Sequence, residues 1–300
     1  MEDLRHDLLK SIRGEVLENA PLHLRTTFRI GGPARFLVCP RDEDDLRCLN
    51  EIVNRRAVRK FVLGGGANVL FSDNGFDGVV IRLNHFNRLA IEDGHVTAEA
   101  GLMLDELVVT CLRASLAGVE RLSGIPGSLG GALRMNAGAF DAEISDYLQT
   151  VECLDFQGRH LVLSKEEVGF HYRTASKIRD TFILGATFEF PPSDREGLFK
   201  ARQEILARRH ERQPWQYPSA GSVFKRPPGH YAGKLIEDVG LRGHTIGRAQ
   251  ISSKHAGIII NLGGAKAADV ASLIRLAQDR VREKFGVELE LEQELVGFNR

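Results

Sequence analysis

Cysteine is scarce in this sequence. The four present, Cys39, Cys48, Cys111 and Cys153, are scattered without any C-x-x-C spacing. That scatter argues against a zinc site, an iron–sulfur cluster or a disulfide framework, and it fits a reducing compartment. Net charge is missing as well, since 40 Lys and Arg balance 40 Asp and Glu. No global field therefore favours nucleic acid or an anionic membrane, and any anion must be held by a local site. No apolar run approaches the ~18 residues of a membrane span. The opening residues, Met1-Glu2-Asp3-Leu4-Arg5-His6-Asp7, are charged and read as the start of an amphipathic helix rather than a secretory signal. The expectation is a cytoplasmic protein with no metal and with neither nucleic acid nor membrane as partner.

What the sequence has in quantity is glycine, 31 residues, together with 43% hydrophobic residues, enough for two or three domains with real cores. The glycines cluster beside strand and helix patterns at Gly31-Gly32, Gly64-Gly65-Gly66, Gly124 to Gly138 and Gly263-Gly264. Such clusters allow close backbone approach to a ligand. Between them strands and helices alternate. Ala34 to Cys39 reads as a strand and Asp42 to Arg56 as a helix with Leu46, Leu49 and Val53 on one face; Phe61 to Leu63 is a strand running into the triple glycine. More strands are expected at Val96–Ala100, Val151–Phe156, His160–Leu163 and Phe182–Phe190, with a helix over Leu104–Ala117. A charged helix, Asp194–Arg212, leads through Pro214 and Pro218 to a third segment. That segment holds helices Tyr231–Val239 and Ala267–Phe285, strand Gly257–Asn261 and a terminal strand Val287–Val296. The expected division is residues 1–84, 85–206 and 207–300.

Five constellations could carry chemistry. Leu63-Gly64-Gly65-Gly66-Ala67-Asn68-Val69 follows a strand and offers several backbone N–H groups in a concave nest, suited to a pyrophosphate or, more simply, to a tight turn. It is neither the G-x-G-x-x-G fingerprint nor a Gly-Lys-Ser/Thr phosphate loop. The run from Gly124-Ile125-Pro126-Gly127-Ser128 through Gly130, Gly131, Asn136, Ala137 and Gly138 has too few large side chains to build core. It reads as backbone laid against an extended ligand, or as a small-residue helix packed on a neighbour. His171-Tyr172-Arg173-Thr174 is a surface contact or a functional pair. Ser219 to Lys225 places Ser222 on a glycine-loosened turn beside a lysine, without the geometry of a G-x-S-x-G elbow. Val287 to Leu295 alternates with period two, which makes it a strand carrying Glu288, Glu290, Glu292 and Glu294 on one face.

Taken in order, Thr27 to Gly32, Leu63 to Leu70, Gly124 to Gly131, Met135 to Ala139, Tyr172-Arg173, Gly221 to Lys225 and the Glu-rich terminus closely resemble the UDP-N-acetylenolpyruvoylglucosamine reductase (MurB) family from about residue 20 to residue 298. The resemblance implies an α+β protein of the vanillyl-alcohol-oxidase (PCMH-type) superfamily. Two α/β subdomains would hold FAD and a C-terminal α/β domain would bind the UDP-sugar, with the last strand able to return to the FAD domain. It assigns the two glycine loops to the cofactor. Neither loop contains the His or Cys that tethers flavin in related oxidases, so the FAD is expected to be dissociable. The implied reaction belongs to peptidoglycan precursor synthesis. NADPH reduces FAD, hydride passes to the terminal carbon of UDP-N-acetylglucosamine enolpyruvate, and the adjacent carbon is protonated.

Three catalytic residues follow from the resemblance: Ser222 as proton donor, Arg173 as the flanking cation and Glu294 as the C-terminal acid. Here Gln293 and Leu295 replace the family's commoner Pro and Val, and Glu292 lies on the same face as Glu294. Tyr172, Lys225, Lys234 and Lys254 are expected at the substrate, with Arg248 a further candidate for the diphosphate. A monomer is expected. An oxidase or dehydrogenase of the same fold has no need to protonate a carbanion, and a nucleotide-sugar binding protein has no need of all three catalytic residues together.

Overall fold

A computed structural model describes residues 2–298. The chain divides into two compact units. The first comprises the chain up to Glu18, Phe36–Gly65 and Gly78–Arg208; the second comprises Asn19–Arg35, Gly66–Asp77 and the chain from Arg209 onward.

The first unit opens with a βαβ arrangement. The helix expected over Asp42–Arg56 spans Glu43–Arg55, and Asp42 caps it by accepting from the Asp45 N–H at 3.0 Å. Its apolar stripe, Leu46, Leu49, Ile52 and Val53, is buried with Leu4 and Leu8 of the N-terminal helix Glu2–Ser11. A four-stranded sheet runs in the order Glu15–Pro21, Pro33–Cys39, Phe76–Ile81, Lys60–Val62, and the last two strands are parallel. Lys60–Val62 therefore delivers Leu63-Gly64-Gly65 at the carboxyl end of a parallel pair, where α/β sheets bind ligands.

The rest of the first unit is a five-stranded antiparallel sheet ordered His160–Ser164, Leu148–Asp155, Thr181–Glu189, His95–Glu99, Leu89–Glu92. Helix Leu104–Arg113 buries Leu104, Leu107, Val108, Cys111 and Leu112 in the core that includes this sheet. It stops short of the expected Ala117, because Ser115 and Gly118 turn to φ +61° and +99°. Burial pushes the Cys111 thiol up to about 12 and Cys153 to about 11, so both are core fillers rather than nucleophiles.

In the second unit a four-stranded antiparallel sheet, ordered Ser219–Ser222, Ile258–Asn261, Ala249–Ile251, Thr245–Ile246, shares a core with helices Ala232–Asp238 and Ala267–Phe285. Asp73 caps the long helix by accepting from the Ala267 and Ala268 N–H groups at 2.8 and 3.0 Å.

The terminal strand differs from expectation. Only Glu294–Val296 is a strand, paired in parallel with Val69–Phe71; Val287 to Gln293 is irregular. The alternation misleads because residues 290–292 meet Val223–Lys225 through one isolated bridge, Phe224 with Leu291, flanked by the Lys225 N–H to the Glu290 carbonyl and the Glu292 N–H to the Val223 carbonyl. A continuous partner strand begins only at Val69.

No described helix is long and apolar enough to cross a membrane. Among the described residues no group of three or more His, Cys, Asp or Glu could hold a metal ion.

Candidate active site

A cleft opens in the first unit. Leu63, Gly64 and Gly65 line it together with Ser128, Gly130 and Gly131, so the first half of one glycine motif meets the centre of the other. The contact is backbone to backbone: a Cβ on Gly65 would lie 2.5 Å from the Gly127 Cα. Gly130 donates to the Ala100 carbonyl at 2.8 Å, which seats that loop on the end of the five-stranded sheet. Gly124, Ile125 and Pro126 lie outside the wall and form the turn that leads to Gly127, with Gly124 at φ +75°.

Sequence reading missed several wall residues: Arg82, Asn84, Gly101, Met103, Arg134 and Thr181. They sit at strand ends and helix termini with no shared local motif. Arg82, directly after strand Phe76–Ile81, was the one with a signal, as a cation following a buried run. The wall suits FAD. Glycine backbone on one side admits a broad ligand, and Arg82 and Arg134 bring positive charge for a diphosphate. Asn84 holds a buried Oδ1 that accepts no hydrogen bond among the described residues, ready for a donor on the cofactor. No Cys or His is among the wall residues.

Arg173 stands in the same unit, at a tight hairpin. Phe170–His171 pairs with Thr174–Ala175, leaving Tyr172-Arg173 as a two-residue turn with Arg173 at φ +55°. A non-glycine residue in that region is held there by its surroundings. The Arg173 guanidinium donates to the Gly138 carbonyl at 2.9 Å and to the Asn136 carbonyl at 3.4 Å. Asn136, itself buried at φ +42°, donates from Nδ2 to Glu143 at 2.6 Å and to the His171 carbonyl at 3.3 Å. Asn136 and Gly138 thus support the arginine hairpin. Tyr172 is exposed, with the Arg173 guanidinium 5.1 Å from its ring centre.

The remaining residues belong to the second unit. Gly66, at φ +68°, accepts from the Thr27 N–H at 3.0 Å, and its missing Cβ lets the Arg25 carbonyl approach. Ala67 follows it; Asn68 donates to the Glu292 carbonyl at 2.9 Å and accepts from the Glu294 N–H at 3.0 Å; Val69 pairs with Glu294. Ser222 is exposed at the end of its strand, beside Gly221 at φ +69°. Glu292 and Glu294 are half-buried. Lys225 pairs with Glu290 at 2.5 Å, Lys234 with Asp238 at 2.6 Å, and Lys254 donates to the His210 carbonyl at 2.6 Å. Arg248 holds the carbonyls of Leu262 and Gly263.

A model of the FAD binding domain matches residues 34–164, and a model of the C-terminal domain of UDP-N-acetylenolpyruvoylglucosamine reductase matches residues 213–296. The fold is shared with a distant solved structure: BBE-like 1 of Physcomitrella patens superposes with a TM-score of 0.61 at 12% identity, covering 93% of this chain and 88% of its own. This is therefore a flavoprotein oxidoreductase with a PCMH-type FAD-binding fold.

Closer relatives narrow the class. The chain is 43% identical to the UDP-N-acetylenolpyruvoylglucosamine reductase of Caldanaerobacter subterraneus subsp. tengcongensis, with 99% of each covered. It is also 43% identical to that of Caldicellulosiruptor saccharolyticus, over 96% of this chain and 94% of the relative. The crystal structure of the reductase from Thermus caldophilus superposes with a TM-score of 0.81 at 35% identity, over 95% of this chain and 99% of that one. The chain belongs to the UDP-N-acetylenolpyruvoylglucosamine reductase family.

Proposed function

We propose that this protein reduces UDP-N-acetylglucosamine enolpyruvate to UDP-N-acetylmuramate with NADPH, as a cytoplasmic monomer. The reading is carried by one observation: an FAD binding domain with an open cleft and the family's C-terminal domain, with an exposed Ser222 on a glycine-loosened strand, stand in a single chain. In this reading residues 1–84 and 85–206 serve the cofactor and residues 207–300 the sugar nucleotide.

Bound FAD would supply the two-electron transfer between NADPH and the enolpyruvyl double bond. The protein's own residues do the rest. Arg173, held on its hairpin by the Gly138 and Asn136 carbonyls, faces the charge that develops toward the substrate carboxylate, a preorganised contact worth roughly 3–4 kcal/mol. Ser222 keeps the proton on Oγ until the carbon next to the new C–H bond becomes basic enough to take it. A serine suffices because a carbanion is a far stronger base than an alkoxide, and a nearby cation eases the transfer. Glu294 orients the substrate or the arginine. Lys225, Lys234 and Lys254 lie on the substrate domain as cations for the diphosphate, and Tyr172 contributes an exposed aromatic face beside Arg173.

The support beneath Arg173 gives a prediction. Glu143→Ala leaves the Asn136 amide, which is 1% exposed, without its strongest acceptor. An unsatisfied buried donor costs about 1–3 kcal/mol. The variant is expected to melt at a lower temperature and to lose about tenfold in kcat with KM little changed, since Arg173 acts as charge develops. A melt and kcat both equal to wild type would dismiss the network.

The function itself is tested by visible spectroscopy under anaerobic conditions. The holoenzyme should be yellow, bleach with NADPH, and recolour only when UDP-N-acetylglucosamine enolpyruvate is added. Bleaching without recolouring would move the function to another oxidoreductase of the same fold.

A further inference from the structure

We propose that Gln293 is the positioning residue of Ser222: its buried side-chain amide fixes the bulged strand that presents the serine hydroxyl. The inference rests on the reading of Ser222 as proton donor and deepens it.

Strand Ser219–Ser222 does not pair regularly with Ile258–Asn261. Ser219 stands opposite Ile260 and Ser222 opposite Ile258, so three steps on one strand match two on the other, leaving one residue extra. A bulge of this kind takes carbonyls out of the ladder, and buried carbonyls need other donors. Ser219 receives one from the Thr27 hydroxyl at 2.7 Å. Gln293 supplies the next two, donating from Nε2 to the Ala220 carbonyl at 3.0 Å and to the Gly221 carbonyl at 3.2 Å.

The segment needs such a clamp. Gly221 is at φ +69°, and a Cβ built on it would meet nothing within 4 Å. Neither steric crowding nor a side chain restrains that residue, and glycine samples both signs of φ readily. A rotation there would re-aim Ser222, the next residue. The clamp is itself rigid. On one side of Gln293 the Glu292 N–H donates to the Val223 carbonyl at 2.9 Å, and the Glu292 carbonyl accepts from Asn68 at 2.9 Å. On the other side the Glu294 N–H donates to the Asn68 carbonyl at 3.0 Å. Gln293 is 3% exposed, so water does not compete for its amide. A residue without a side-chain donor at this position would leave the Ala220 and Gly221 carbonyls without these two hydrogen bonds.

The experiment uses holoenzyme and separates the half-reactions by anaerobic stopped flow. Gln293→Met keeps length and bulk but donates nothing. Flavin reduction by NADPH should match wild type, which also certifies the fold. Reoxidation by the enolpyruvyl sugar should slow about 10–100-fold, as expected for a misplaced reacting group. Substrate affinity, read from the perturbation of the flavin spectrum, should change less than about twofold, and the solvent isotope effect on reoxidation should rise. The double variant Ser222→Ala/Gln293→Met should be no slower than Ser222→Ala alone, because residues acting as a unit are not additive.

Gln293→Glu is the second variant. Its protonated carboxyl has one donor where the carboxylate has none, so the ratio of its reoxidation rate to wild type should climb as pH falls. Reoxidation of Gln293→Met at the wild-type rate, or full additivity in the double variant, overturns the proposal and leaves the assignment of Ser222 intact. Wild-type protein that the enolpyruvyl sugar cannot reoxidise would instead overturn the functional reading beneath it.

Discussion

Replacing Ser222 by Ala is expected to leave flavin reduction by NADPH near the wild-type rate while slowing reoxidation by the enolpyruvyl sugar about 10²–10⁴-fold, the range a positioned general acid contributes. The asymmetry follows from where the proton is needed. Reduction by NADPH requires no proton from the second unit. The step onto substrate requires one at a carbon whose basicity appears only during transfer. Ser222 is exposed and ends a short strand, so loss of its hydroxyl leaves the apolar core of that unit, built on Phe28, Leu70, Val223, Leu273 and Ile274, untouched. Rapid-mixing traces of the two half-reactions check the prediction. Equal slowing of both would make Ser222 structural and remove it from the mechanism.

Much of this was legible in the sequence, for local reasons. Helix Glu43–Arg55 could be read within a residue at each end because Asp42 caps it and Leu46, Leu49 and Val53 fall on one face. The glycine runs announced a backbone surface, although Leu129, Ala132 and Leu133 of the second run form a short helix buried in the core of the first unit. The division of labour within them was harder to see. Gly64 and Gly65 line the cleft, while Gly66 to Val69 belong to the second unit and support the C-terminal segment.

Three features escaped because they are tertiary. The polar residues of the cleft wall, Arg82, Asn84, Arg134 and Thr181, come from separate elements and share a surface only after the two sheets form. The segment Val287 to Gln293 alternates like a strand but finds no continuous partner, and a pattern cannot report the absence of a neighbour. The bulge at Ala220-Gly221 belongs to the same class. A glycine permits φ > 0 without requiring it, and only the donors from Thr27 and Gln293 decide the conformation.

Gly65→Ala should yield protein that purifies without flavin. Gly65 has no positive φ to strain, so the penalty is steric alone. The new Cβ would lie 2.5 Å from the Gly127 Cα and 2.8 Å from the Gly127 carbonyl carbon and the Ser128 nitrogen. All three are backbone atoms, so no side-chain rotation relieves the overlap, and the two glycine loops must separate. Gly64→Ala makes the contrast. Its closest contact, at 2.7 Å, is the Ser128 hydroxyl, which can swing away, and the next atoms stand at 3.6 Å. Overpacking typically costs 1–3 kcal/mol. On the proposed reading of the cleft as the FAD site, that cost falls for Gly65 on the cofactor's wall, so the FAD dissociation constant should rise about 100-fold, equivalent to about 2.7 kcal/mol. Gly64→Ala should retain most of its flavin. The ratio of flavin to protein absorbance after purification, followed by fluorescence titration of each apoprotein with FAD, distinguishes the two. If Gly65→Ala bound FAD as tightly as wild type while folding normally, the contact between residues 64–65 and 127–131 would not be the cofactor's wall, and the flavin would have to lie elsewhere in the first unit.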